Sequence, residues 1–196
     1  MNKDILSSLR PALMMTLRFA LLLGLAYPLA LTGLGQLLFP RQANGSLVEE
    51  NGKVIGSEIV GQAFTSERYF NSRPSAAGAG YDGMASSGSN LGPTSKALVD
   101  RVAEQVETMR GVEPGKPIPV DLATASASGL DPDITPEAAY YQVDRISRVR
   151  GLAPAEVRAL VHASVEQPLL GFLGEPRVNL LALNRRLDAL RAKPAA

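Results

Sequence analysis

Hydrophobic and polar positions divide the chain into three regimes. From Phe19 to Pro40, 22 successive residues carry no charge. As a helix rising about 1.5 Å per residue they reach roughly 33 Å, enough to cross the hydrocarbon core of a bilayer. Beyond them Leu47 to Val48 and Val54 to Val60 flank Asn51-Gly52, the dipeptide best suited to the positive backbone angles of a tight hairpin turn. Tyr69 to Pro74 is expected to continue extended. Half of the 18 residues from Ser75 to Gly92 are Gly or Ser, which predicts an irregular loop.

From Thr94 the apolar period becomes helical. Leu98, Val99, Val102, Val106 and Met109 fall on one face, with Gly111 as a stop. Ile118 to Ala123 is expected as a short or edge strand, restricted by Pro117 and Pro119. Thr135 offers an N-cap with Pro136 at the first helical position, for a helix carrying Ala139, Val143, Ile146 and Val149 and ending at Gly151. A third helix is predicted from Pro154 to before Pro168, with Val157, Leu160, Val161 and Val165 inward. The last follows Asn179 and buries Leu180, Leu183, Leu187 and Leu190. The predicted fold is α+β: one N-terminal transmembrane helix, then a single compact, helix-rich soluble domain. The segments are residues 1–10 (cytoplasmic), 11–39 (anchor) and 40–196 (external domain).

A cleaved signal peptide is disfavoured, because the apolar run exceeds the usual span of about 7 to 15 residues and no small-x-small site closes it. Lys3, Arg10, Arg18 and the terminal amine precede the run, whereas Arg41 and Lys53 beyond it are diluted by Glu49, Glu50 and Glu58. Basic flanks stay on the cytoplasmic side, which predicts a single-pass protein of the inner membrane with a periplasmic domain. Within the run Pro28 cannot donate to the carbonyl of Gly24, so a bend is expected there. Ala20 and Gly24, like Ala26 and Ala30, space small residues by four, the pattern that lets a second helix approach closely.

Composition narrows the chemistry. The net charge is +1, and there is no cysteine and one histidine. Nucleic-acid binding, disulfides, thiol catalysis and cysteine-ligated zinc are therefore not expected, and a Ser-His-Asp site would depend on His162 alone. His162 reads as structural or solvent-facing. Gly111-Val-Glu-Pro-Gly-Lys116 lacks the spacing of a phosphate-binding loop and reads as a turn. Two loops concentrate hydroxyls, small side chains and accessible N–H groups: Ser86 to Gly92 and Thr124 to Leu130. These are the ingredients of an anion nest, and equally of a tightly turned loop. Arg145, Arg148, Arg150 and Arg158 are expected to form a solvated helix face, or else a docking surface for an acidic partner.

Several segments in one order carry a family resemblance. They are Gln42-Ala-Asn-Gly-Ser-Leu47, Gly61-Gln-Ala-Phe64, Tyr69-Phe-Asn-Ser-Arg-Pro-Ser-Ala76, Gly88-Ser-Asn-Leu-Gly92 and Val120-Asp-Leu-Ala-Thr-Ala-Ser-Ala-Ser-Gly-Leu-Asp-Pro132. Ile134-Thr-Pro-Glu-Ala-Ala139, Pro176-Arg-Val-Asn179, Leu183-Asn184 and Leu187-Asp188 extend the match. Together they resemble the C subunit of the Kdp potassium-transporting ATPase over essentially the whole chain. Ser87 departs from the pattern, which usually has a second glycine before Gly88.

The resemblance implies a non-catalytic subunit of a high-affinity potassium pump. Its partners would be a channel-like ion-carrying subunit, a P-type ATPase subunit and a very small membrane subunit. The chain has no Asp-Lys-Thr-Gly phosphorylation motif, in keeping with that division of labour. The family is described as a catalytic chaperone that raises the ATP affinity of the hydrolysing subunit, with a glutamine proposed to touch nucleotide; here the matching residue is Gln142. No tightly bound cofactor is implied, and ATP would be met only through the complex. A periplasmic domain conflicts with direct contact to cytoplasmic ATP, so docking over the channel entrance is the preferred expectation. Its candidate residues are Ser87, Gly88, Ser89 and Asn90 in one loop, with Thr124, Ser126, Ser128 and Asp131 in the other. The rival reading is a stand-alone anchored enzyme or binding protein using a loop serine, with His162, Lys96 or Lys116 as base.

Overall fold

A computed structural model describes the backbone of residues 2–191 and the side chains of residues 7–190. The terminal amine and the Lys3 side chain, invoked for orientation, lie outside the described residues. The chain divides into two units, with the boundary in sequence between Leu47 and Val48. The first is helical: α1 (Asn2–Leu21), a π-helical turn (Leu22–Ala26), α2 (Tyr27–Leu38) and the short α3 (Pro40–Ala43). The 32 residues Ser7–Leu38 are long and apolar enough to cross a membrane, and their large side chains stand exposed, Leu29 by 68%. The break expected at Pro28 takes the form of a widened turn. Tyr27 N–H donates to Leu22 O, five residues back, just ahead of the proline that has no N–H to give. At the end of the helix Asn44 and Gln36 exchange side-chain hydrogen bonds of 3.0 and 3.3 Å.

The second unit opens with the predicted hairpin, β1 (Leu47–Glu50) and β2 (Lys53–Ser57). Asn51 and Gly52 turn it with φ of 52° and 74°, the paired positive angles that the dipeptide tolerates. After a long irregular stretch come α4 (Lys96–Val112), α5 (Val120–Ala123), β3 (Asp133–Ile134), α6 (Pro136–Tyr141) and α7 (Val143–Arg150). Then follow α8 (Pro154–His162), β4 (Val165–Glu166), β5 (Arg177–Asn179) and α9 (Leu180–Arg191). The small sheet runs β3-β5-β4, antiparallel throughout, with Ile134 and Val165 both opposite Val178. Helices α6 to α9 close over it. Phe70, Val143, Ile146, Val157, Val161, Val178, Leu183 and Leu187 are wholly buried there.

The caps follow the sequence. Thr135 Oγ1 accepts from Ala138 N–H at 3.1 Å, Asn179 Oδ1 accepts from Ala182 N–H at 3.1 Å, and Gly151 ends α7 in a left-handed conformation.

Four expectations are corrected. Ile118 to Ala123 is not a strand: Pro119 starts the helical turn α5, and the carboxylate of Asp121 is drawn in to accept from Thr135 N–H and Oγ1–H. The helix from Pro136 to Arg150 is interrupted at Gln142, whose side chain is engaged elsewhere. The third helix stops at His162, and Val165 serves β4. Helix α4 runs through Gly111 to Val112 and none of its residues is fully buried; Val99 is 59% exposed. Only its C-terminal end meets the core, through Met109, and Tyr141 Oη donates to the Met109 carbonyl at 3.0 Å.

Candidate partner-docking site

The two Ser/Gly-rich loops are one structure. Ser87 N–H and Ser86 Oγ–H both donate to Ser128 O, each at 3.0 Å. Ser75 Oγ donates to Gly129 O at 2.6 Å and accepts from Ala77 and Tyr81 N–H, folding its own loop around one hydroxyl. Gly129 has φ 67°, and a Cβ there would fall 2.6 Å from Ala77 N and 2.7 Å from Ser87 O. A Cβ at Gly88 would lie 2.8 Å from Ala127 O. The close approach therefore needs bare backbone at Gly88 and Gly129, not at the departing position Ser87, whose hydroxyl donates to Gly88 O.

This internal knitting divides the candidate docking residues. Thr124 Oγ1 donates to Val120 O, Ser126 Oγ accepts from Gly129 N–H, and Ser128 Oγ accepts from Leu130 N–H. Asp131 pairs with Arg73 at 3.0 Å and accepts from Asp133 N–H. Ser89 and Asn90 differ: their side chains make no hydrogen bond among the described residues, and Asn90 is exposed with φ 50°. Asn90 is exposed and Ser89 half-exposed, which leaves these two polar side chains of the loop pair uncommitted.

Gln142 is placed elsewhere and is only 4% exposed. Its Oε1 accepts from Asn71 N–H at 2.7 Å and from Arg145 Nη2 at 2.6 Å. Its Nε2 donates to Asn71 O at 3.1 Å and Ala138 O at 3.2 Å. All four hydrogen-bonding positions of the amide are used. Asn184 of α9 grips the preceding residue in the same way, accepting from Phe70 N–H at 2.9 Å and donating to Phe70 O at 3.0 Å. Among the described residues no strand pairs with segment 69–74, so two side-chain amides stand in for the missing ladder.

The arginines expected on a solvated face complete this clamp. Arg145, 5% exposed, donates to the carbonyls of Glu67 and Tyr69, and the side chain of Arg150, 2% exposed, donates to Arg68 O. Arg150 also pairs with Asp188 at 2.8 Å and stacks 4.8 Å from the Tyr69 ring centre. Every carbonyl from Glu67 to Asn71 thus meets a side-chain donor. Arg148 and Arg158 do remain exposed. Tyr69 Oη donates to Asp188 at 2.9 Å, a bond that raises its pKa above the usual tyrosine value. Beside Gln142, a cavity of about 30 Å³ lined by Asn71, Gln105, Glu113, Tyr141 and Arg145 has room for a water-sized guest.

Among the described residues, neither a lysine nor His162 hydrogen-bonds a loop serine. Lys116 Nζ bonds Asp144 at 2.6 Å and Glu113 at 3.1 Å, Lys96 bonds Asp100, and His162 stands exposed on α8. Burial pulls the Lys116 ammonium down, but its two carboxylate partners outweigh that and hold it above the ordinary lysine value. The hydrogen bond from Lys116 in turn lowers Asp144. Ala20, Gly24 and Pro28 lie in α1, the π turn and α2; a Cβ at Gly24 would meet nothing within 4 Å.

One surface escaped the sequence reading. Between β4 and β5, Leu169, Leu170, Phe172 and Leu173 are 70%, 75%, 73% and 52% exposed. Four large apolar residues bracketed by Pro168 and Gly174, with neither helical nor strand period, were the available signal.

The fold and these two surfaces define a scaffold whose polar side chains are largely spent on internal architecture. Comparison with known families gives its membership: the chain belongs to the KdpC family, described as the K+-transporting ATPase, c chain, which matches residues 9–189. That family is a subunit of the ATPase and not its catalytic chain. A "Potassium-transporting ATPase KdpC subunit" of Caulobacter vibrioides is 56% identical, with 94% of each chain covered. Proteins of the same description from Methylobacterium nodulans and Rhodopseudomonas palustris (strain TIE-1) are 54% and 53% identical. The alignments cover 96% and 94% of this chain, and 100% and 98% of theirs.

Proposed function

We propose that this chain is a membrane-anchored accessory subunit of a potassium-transporting ATPase, holding the complex together and shaping the entrance of its ion-conducting subunit. The observation that carries this reading is the loop pair: an internally bonded surface that leaves Asn90 exposed and Ser89 half-exposed, with no lysine or histidine bonded to its serines among the described residues. Such a surface suits contact, not turnover. Ser7–Leu38 spans the inner membrane in this account, with the N-terminus in the cytoplasm and the domain in the periplasm. The partners are the channel-like subunit, the P-type ATPase subunit and the small membrane subunit.

The same reading assigns the gain in ATP affinity, the chaperone role, to the shape of the assembled complex. Contact of Gln142 with nucleotide would require breaking four internal hydrogen bonds. A stand-alone enzyme is less well supported, because each loop serine is committed to loop backbone or lacks a base.

Orientation is tested with single cysteines at Ser8 and at Met84, which is 96% exposed. An impermeant thiol reagent on intact cells should label Met84→Cys and spare Ser8→Cys; the opposite pattern would overturn the topology. Asn90→Arg should lower both recovery of the detergent-extracted complex and its potassium affinity. Unchanged values in both would remove the loop pair from the interface.

A further inference from the structure

Three polar side chains that line the cavity beside Gln142 have bonding capacity that the protein leaves unused. Glu113, just past the end of α4, has a side chain only 7% exposed. Its Oε2 takes the Lys116 ammonium at 3.1 Å, while its Oε1 has no hydrogen-bond partner among the described residues, and Arg148 stays 3.9 Å away. Asn71 spends its amide N–H groups on the carbonyls of Phe64 and Ser66, and its Oδ1 accepts nothing among the described residues. The half-buried Gln105 side chain makes no hydrogen bond among the described residues. A buried acceptor that gives up solvent without a replacement bears the full cost of its desolvation, so Glu113 Oε1 needs a partner.

The walls select the guest. Lys116 already bonds Glu113 and Arg145 lines the cavity, so a further cation would meet two like charges. An anion would meet the carboxylate itself. The space is about 30 Å³, and one water takes roughly 10–15 Å³ on this measure, so nothing much larger fits. What remains is a small neutral molecule with two donors, for Glu113 Oε1 and Asn71 Oδ1, and an acceptor for Gln105 Nε2. Water has this complement, and three hydrogen bonds are the usual number for a buried one.

We infer that this cavity is a built site for an ordered water, which donates to Glu113 Oε1 and Asn71 Oδ1 and accepts from Gln105 Nε2. The water joins α4, through Gln105 and the turn at Glu113, to the segment that Gln142 grips at Asn71. It adds to the Tyr141–Met109 hydrogen bond a second polar tie between α4 and the core. The site is separate from the loop pair and independent of what the protein assembles with.

The test uses the full chain. A crystal structure at a resolution that shows waters should place one within hydrogen-bond distance of Glu113 Oε1 and of Asn71 or Gln105. A dry cavity overturns the inference, as does a peak with rubidium anomalous scattering in crystals grown with that cation. Urea denaturation of a pair of variants gives a second, independent answer. Val112 lines the cavity, and Val112→Ile adds a methyl group that displaces the water. The folding equilibrium constant should then fall about tenfold, as when a buried acceptor is stranded. In a Glu113→Met background no carboxylate needs the water, and the same change should cost less than about twofold. That background keeps Lys116 paired with Asp144 at 2.6 Å. An equal cost in both backgrounds is simple crowding and overturns the inference. A gain from Val112→Ile in the parent, the mark of a dry cavity being filled, does the same.

Discussion

Gln142 and Asn184 perform at single residues the work a neighbouring strand performs elsewhere. Each accepts from the N–H and donates to the carbonyl of one residue, so Asn71 and Phe70 keep both backbone hydrogen bonds inside the protein. Gln142→Ala should lower unfolding free energy by about 2–4 kcal/mol, since buried groups left without partners cost about 1–3 kcal/mol each. Chemical denaturation measures this, and Gln142→Glu should recover only part of it, because a carboxylate cannot donate to Asn71 O. Gly129→Ala should cost about 2 kcal/mol or more, from a disfavoured positive φ and from overlap with Ala77 N and Ser87 O. At Leu170 the sign reverses. Its left-handed backbone has a strain of about 1 kcal/mol that glycine would not bear, so Leu170→Gly should leave the melting temperature unchanged or slightly higher. Few of these roles were legible beforehand. The motif residues Asn71, Asn184 and Asp188 could be quoted from the sequence, but their partners lie 71, 114 and 119 residues away.

At the scale of elements, the turn after α4 is fastened to α7 by one ammonium. Lys116 bridges Asp144, which is partly exposed, and Glu113, whose side chain is 7% exposed. Asp144→Asn should cost less than about 1 kcal/mol, as expected for a solvent-screened pair. Lys116→Met should cost more, about 2 kcal/mol, because the Glu113 carboxylate would stay buried with only Arg148 at 3.9 Å. The pH dependence follows from the shifts. Asp144 is lowered, so its contribution is present above the usual carboxylate range and is lost as pH falls through its lowered value. Lys116 is raised, so its contribution is present below the ordinary lysine value and is lost as pH rises through the raised one. Denaturation across pH should therefore show an acid limb that Asp144→Asn flattens and an alkaline limb that Lys116→Met reduces, the raised tyrosines Tyr69, Tyr81 and Tyr141 carrying the rest. Local signals predicted the elements themselves where they were strong. Asn51-Gly52, Thr135-Pro136, Gly151 and Asn179 each act within a few residues, and each gave its turn or cap. The strand expected at Ile118 to Ala123 failed because its apolar run said nothing of the two prolines' preference for a turn or of Thr135 drawing Asp121 inward.

For the whole molecule, the buried cluster is drawn entirely from Phe70 to Leu187, within the unit that begins at Val48. A chain starting at Val48 should fold without residues 1–47, giving the circular dichroism and urea midpoint of the domain in the full protein, while losing potassium uptake in cells. A soluble piece that fails to fold would mean the apolar helix supports the domain. The sequence by itself determined the features that depend on neighbours in the chain: one apolar helix of membrane-spanning length, the hairpin, the caps, the helix-rich α+β character and, through many short motifs in order, the family. Tertiary structure alone decided which polar residues are walls and which are surface. It buried Arg145 and Arg150 that composition assigned to solvent, consumed the amide of Gln142, joined two loops through Ser128 and Gly129, and left Leu169 to Leu173 bare. The reason is physical: a periodic pattern records which face a residue occupies, whereas the partner that satisfies a buried donor, or fails to cover an apolar tip, is fixed only when distant segments meet.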